Sequence, residues 1–241
     1  METQIQKKIL PTVGGSYGNG WEVMSKYFLV LLLVVIVMGI VQFPSGMMNL
    51  NFNADNDGWR EFIDFIGWKG FAVLGVFAVM LGIVAFIYSI LVVPVIKYGS
   101  DIMFVHAARG TRPEFPTLIK GFTENYLHIV LANLLVVALV LLGFVMLIVP
   151  GIIIACRLAF VSYLVMDKKL DPIIAVEESW KMTRGHGWTI FSMAIVSFFI
   201  YIAGLCLLFV GVFPAAIWVS GSFASLYEAV QVKKNAAISE V

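Results

Sequence analysis

The chain has 241 residues, 61% of them hydrophobic and 13% charged, with a formal net charge of +1. Soluble domains carry roughly 45–50% apolar and about 25% charged residues, so an ordinary soluble globule is excluded. The near-neutral charge, with no Lys/Arg block interleaved with aromatics, argues against nucleic acid and leaves membrane lipids, a second copy or another membrane protein as partners.

Residues 1–26 are polar and rich in glycine (Gly14, Gly15, Gly18, Gly20), which reads as a flexible cytosolic lead-in. The Gly-Lys-Ser/Thr that a phosphate loop requires does not follow these glycines. Residues 27–43 run without a charge and end at Gln42-Phe43-Pro44 instead of a small-residue cleavage site, so they predict a permanent span and not a removed signal. Ser45 to Lys69 is a long polar connection in which Asp55, Asp57, Glu61 and Asp64 face Arg60 and Lys69, with Trp59 and Trp68 placed as headgroup-level indoles. Residues 70–96 form a second uncharged run.

Between residues 113 and 125, Phe115, Leu118 and Phe122 oppose Lys120 and Glu124, which suits a short helix along the headgroups. Pro150-Gly151 then divides a long apolar stretch into spans at 126–148 and 150–166. Asp171-Pro172 is a helix start, with the carboxylate placed to cap free N–H groups and proline suited to the first turn. In the helix from Pro172 to Arg184, Ile173, Val176 and Trp180 share a stripe and Glu177 stands four residues before Lys181. This predicts an interfacial helix with Trp180 against lipid or bundle and Glu177 and Lys181 in water. Gly187 to Tyr227 contains no charge over 41 residues. As one helix that stretch would be about 60 Å long, twice the roughly 30 Å of hydrocarbon, so it folds back into spans at 188–209 and 212–229. Residues 231–241 form a cytosolic tail.

The expected fold is an all-α polytopic membrane helix bundle, with six spans built from three hairpins and interfacial amphipathic helices. The hairpin idea rests on internal recurrence. Val149-Pro150 returns as Val93-Pro94 and as Val212-Phe213-Pro214, and GHGWTIFS at Gly185 to Ser192 returns as GNGWEVMS at Gly18 to Ser25. With both termini cytosolic, fourteen lysines and arginines fall inside and only Arg60 and Lys69 outside, as the positive-inside rule favours.

No catalytic constellation is visible. His106, His128 and His186 lack metal-ligand spacing, Ser220-Gly221-Ser222 lacks the frame of a nucleophile elbow, and adjacent Glu177 and Glu178 diverge by some 100° around a helix. Neither a metal nor another cofactor is implied, and Cys156 and Cys206 lie in apolar runs as small hydrophobes. The intramembrane polar residues stand out. Arg157 precedes Asp167 by ten residues, or roughly 15 Å along a helix, and Asn133 lies at a similar depth. Counting seven residues from Pro94, Pro150 and Pro214 gives Asp101, Arg157 and Gly221. Three related hairpins would bring these to one depth, with Asp101 pairing to Arg157 and Gly221 leaving room. Asp101, Asn133 and Arg157 are thus the candidate polar or lipid-headgroup site.

Pro150-Gly151-Ile152, Arg157 to Phe160, Asp167, Ala175, Glu178-Ser179-Trp180, Met182-Thr183 and Gly185-His186 resemble the signature of a bacterial family of uncharacterised six-span membrane proteins. That family is similar to the membrane domain attached to some glycerophosphoryl diester phosphodiesterases. The resemblance covers about residues 115–230 and implies a membrane module, without a soluble phosphodiesterase barrel or its active site. The residues predict a non-catalytic membrane protein that organises lipid or a partner, against a transporter or channel with a polar site around Asp101 and Arg157.

Overall fold

A computed structural model describes residues 10–47, 57–207 and 210–239. Among these residues the structure is all-helical: α1 (Val13–Met47), α2 (Asp57–Leu91), α3 (Val93–Ala108), α4 (Thr117–Thr123), α5 (Tyr126–Met146), α6 (Ile148–Arg157), α7 (Val161–Lys168), α8 (Pro172–Met182), α9 (Gly187–Cys206) and α10 (Val212–Ser239). Among the described residues, five segments are long and apolar enough to cross a membrane, Val13–Gln42, Val73–Ala108, Tyr126–Met146, Ile148–Lys168 and Gly187–Cys206.

The described chain divides into two compact units, one spanning Gly39–Val93 and the other combining Met1–Met38 with Pro94–Val241. The Gly39–Val93 unit is dominated by α2, which breaks at Gly67, where φ is +68°. Beyond that break Leu74, Val76, Phe77, Val79, Leu81 and Ile83, which lie on all sides of the helix, are exposed. A helix apolar around its whole circumference has no stable place in water and requires a hydrocarbon solvent. Of the polar connection expected at Ser45 to Lys69, residues 48–56 lie outside the described residues and the part from Asp57 onward is helical.

In the larger unit, the proline rule holds at three helix starts. Pro94 is the second residue of α3, and Pro150 and Pro214 are the third residues of α6 and α10. Proline's missing N–H costs nothing in a first turn. The Gly-x-Gly-Trp recurrence does not extend to conformation. Gly185 forms a left-handed turn at φ +81° with α9 beginning two residues later, whereas Gly18 to Trp21 lies within α1.

The flexible lead-in expected over residues 1–26 is corrected from Val13 onward. Helix α1 begins there, and Ser16, Tyr17, Gly20, Val23 and Met24 are buried. The Tyr17 hydroxyl donates to the Met193 carbonyl at 2.9 Å and meets Ser197 Oγ at 2.8 Å, while Trp218 Nε1 donates to the Tyr17 carbonyl at 3.0 Å. Of the glycines that suggested flexibility, Gly20 serves packing between helices. A Cβ on Gly20 would stand 2.2 Å from Ser222 Oγ, so α1 and α10 cross backbone to backbone. The first helix bends afterwards at Tyr27, where φ and ψ are −117° and 24°.

Helix α10 lies at the centre of this unit, with Ile217, Ala224, Leu226 and Tyr227 fully buried. Its 28 residues include Ser220, Gly221, Ser222 and Ser225, and it is not among the segments apolar enough to cross by composition. A helix surrounded by protein needs close packing partners more than it needs apolar side chains.

Candidate functional site

The segment after Pro150 is not one continuous helix. It ends as α6 at Arg157, passes through Leu158 to Phe160, and resumes as α7 at Val161. An interruption frees backbone groups, which away from water must be satisfied by protein. Helix α8 does this by folding back along α7. The Ser179 hydroxyl donates to the Arg157 carbonyl at 2.8 Å and accepts from the Phe160 N–H at 3.3 Å. Thr183 Oγ1 reaches the same Arg157 carbonyl at 3.3 Å and its own i−4 carbonyl, Ser179, at 2.9 Å. The small and hydroxylated residues of α8 therefore form its buried face, with Ala175, Ser179 and Thr183 at 0% exposure and Met182 at 3%.

The predicted stripe of Ile173, Val176 and Trp180 is turned away from this buried face. Ile173 is exposed, Val176 is half-buried and Trp180 sits at the margin, because close approach to the broken helix selects small residues and turns the bulky apolar ones outward. Glu177 and Lys181 are exposed and 3.7 Å apart, an ion pair of small energetic consequence. Asp171 stands at the N-cap of α8 without a side-chain cap, and its carboxylate instead meets His128 Nε2 at 2.9 Å.

Arg157 leaves the break toward a cavity of about 510 Å³ between α6 and α9, lined by Ile152, Ile153, Cys156, Gly187, Trp188 and Phe191 among others. One guanidinium nitrogen, NH1, is buried without a hydrogen-bond partner. The Trp180 ring lies 5.8 Å from the guanidinium carbon, a cation–π distance.

A second polar centre went unrecognised in the sequence. Helix α3 ends in a Schellman motif, with the Thr111 N–H on the His106 carbonyl and the Gly110 N–H on Ala107, both at 3.0 Å. Gly110 takes φ +79° there, which glycine adopts without a Cβ penalty. The turn aims Arg109 into the bundle. Its NH1 and NH2 bind Asp167 Oδ1 and Oδ2 at 2.6 and 2.7 Å, and its Nε binds Glu228 Oε2 at 2.8 Å. Tyr227 donates to Asp167 at 3.0 Å and stacks on Tyr163 with centroids 5.1 Å apart. Bidentate pairing to Asp167, helped by the charge of Glu228, raises the Arg109 pKa and keeps the guanidinium charged. Four residues from α7, α10 and the end of α3 are thereby tied together. Glu178 and Lys234 add a further ion pair between α8 and α10.

Asp101 and Arg157 do not form an ion pair. Asp101 is half-buried on α3 and interacts with Lys97 and Ser162, whereas Arg157 faces Trp180 and the cavity. The third member of that register, Gly221, leaves no opening toward either, because the space beside it is taken by Gly20 and Val23 of α1. Equal distance from a proline sets a height along each helix and does not set the direction a side chain faces. Asn133 is half-buried on α5. At the surface, the Lys169 ammonium binds Glu124 at 2.8 Å and holds its carboxyl below the usual range.

The Arg109 cluster had a readable trace. Glu228 is the first charge after the 41-residue uncharged run, on a helix of small residues, and Arg109 immediately precedes a helix-ending glycine. The chain has no match among protein-family models, curated protein sequences or solved structures.

Proposed function

We propose that this is a non-catalytic integral protein of a bacterial cytoplasmic membrane that organises lipid around itself. The observation that carries the reading is how the side chains are used. Arg109, Asp167, Tyr227 and Glu228 are consumed in ties between helices, while the cavity at Arg157 has mostly apolar walls. In this reading α10 is a sixth crossing and the helices form three proline-opened hairpins. Both termini lie in the cytosol, and α8 braces the cytosolic half of the bundle. The proposed kinship with the six-span family gains a physical rationale from Ser179 and Thr183, two of the resembling residues, which bond the backbone at the break.

One observation favours the alternative, a transporter for a small molecule or lipid. The segment holding Arg157 is discontinuous, and interrupted helices frame the midplane sites of many transporters. Reconstitution of the purified chain into vesicles separates the two. The lipid-organising reading expects no ion, solute or lipid movement above protein-free vesicles, together with phospholipid retained by the gently solubilised protein. Arg157-dependent uptake of any solute would replace it with the transporter.

A further inference from the structure

We propose that the cavity between α6 and α9 holds an anionic glycerophospholipid, its phosphate on Arg157 and one acyl chain along Ile152, Ile153 and Phe191. The inference rests on the lipid-organising reading and gives it a site and a ligand class.

Among the described residues Arg157 is the one charged residue lining the cavity and its NH1 meets no acceptor, and a cation set against apolar walls is costly without a counter-charge. Trp180 covers one part of the guanidinium but offers no lone pair for the NH1 hydrogens. An anionic group in the cavity would supply that counter-charge, and a phosphate matches the planar guanidinium fork. Other cations nearby are engaged or add to the same field. Lys181 and Lys234 are bound to Glu177 and Glu178, while Arg184 makes no ion pair among the described residues and adjoins Gly185, which lines the cavity.

The remainder of the cavity excludes a free polar anion as its main occupant. From Arg157 back to Val149, about 12 Å at 1.5 Å per residue, the α6 wall is Cys156, Ile153, Ile152 and Val149, and α9 contributes Trp188 and Phe191. Polar at one end and apolar along its length, this shape suits an amphiphile. The volume, about 510 Å³, lies inside the roughly 300–1,000 Å³ of ligand pockets. Ile153 and Trp188 are exposed, so the cavity opens through the apolar flank of the bundle, where a lipid can enter sideways.

The test is native mass spectrometry of the full-length protein in mild detergent. It is titrated in parallel with phosphatidylglycerol, with zwitterionic phosphatidylcholine and with glycerol phosphate, which lacks acyl chains. The expected order is phosphatidylglycerol first, retained about tenfold better than phosphatidylcholine, with glycerol phosphate not retained. Arg157→Gln should lower phosphatidylglycerol retention about tenfold, with Arg157→Lys intermediate. Ile153→Trp, which fills the groove from its lipid-facing side and leaves the charge in place, should lower it comparably. Unchanged retention in Arg157→Gln or Ile153→Trp, equal retention of the two lipids, or glycerol phosphate binding as tightly as phosphatidylglycerol would each overturn the proposal. Arg157-dependent movement of phosphatidylglycerol between vesicle leaflets would support the site while ending the non-transport reading.

Discussion

Arg109 shows how much a single side chain can hold when its geometry matches its partners. Its fork engages both oxygens of Asp167, and its remaining Nε–H engages Glu228, with the three side chains 24%, 11% and 11% exposed. Removing the cation leaves two largely buried carboxylates facing each other. Arg109→Gln is therefore expected to destabilise the bundle by about 3 kcal/mol, the low end of what breaking a buried ion pair costs. Arg109→Lys should recover only part of this, because an ammonium cannot reproduce the two parallel bonds to Asp167. Thermal unfolding of the detergent-solubilised protein measures both changes. A glutamine variant as stable as the parent would show that the carboxylates do not depend on Arg109.

At the scale of elements, helix contacts are set by where the chain permits backbones to approach. The crossing of α1 and α10 at Gly20 leaves no room for a methyl group, whereas two residues earlier a Cβ on Gly18 would meet nothing within 4 Å. Both positions lie inside the same helix. Gly18→Ala should gain up to about 1 kcal/mol from helix propensity alone. Gly20→Ala should lose roughly 1–3 kcal/mol because the two helices must separate. The opposite signs of two alanines a half-turn apart make the comparison independent of overall expression level. If both raise the melting temperature, the close crossing is absent. The same principle explains α8, whose sequence promises an apolar stripe and whose packed face is the alternation of Ala175, Ser179 and Met182 that fits against the break.

The whole molecule must place its polar segments on definite sides of a bilayer. The lysine and arginine asymmetry predicts that Asn56, which lies outside the described residues, and Lys169 face opposite sides. Single cysteines at these positions, introduced after Cys156 and Cys206 are changed to serine, should react with an impermeant maleimide from opposite sides of oriented membranes. Labelling of both from one side would reverse the proposed arrangement. Lys169 is a suitable reporter because it is exposed at the end of α7, in a left-handed conformation at φ 51° that α-helical neighbours do not share.

Read alone, the sequence determined the class of solvent and the positions of several helix starts. A hydrocarbon core demands long apolar helices, and proline announces a first turn, as Pro94, Pro150, Pro172 and Pro214 do. These are local rules, and they apply wherever the residues stand. Partnership is not local. Arg109 and Asp167 are separated by 58 residues and Arg109 and Glu228 by 119, and nothing in either neighbourhood names the other. The interruption after Arg157 was equally hidden, because the hydroxyls that satisfy it come from another helix, 22 and 26 residues further on. Tertiary structure also turned the glycine-rich start of α1 from a lead-in into packing surface, since a missing side chain permits flexibility and close approach alike. Which of the two a glycine serves depends on what lies opposite, and at Gly20 that is the backbone of Ser222.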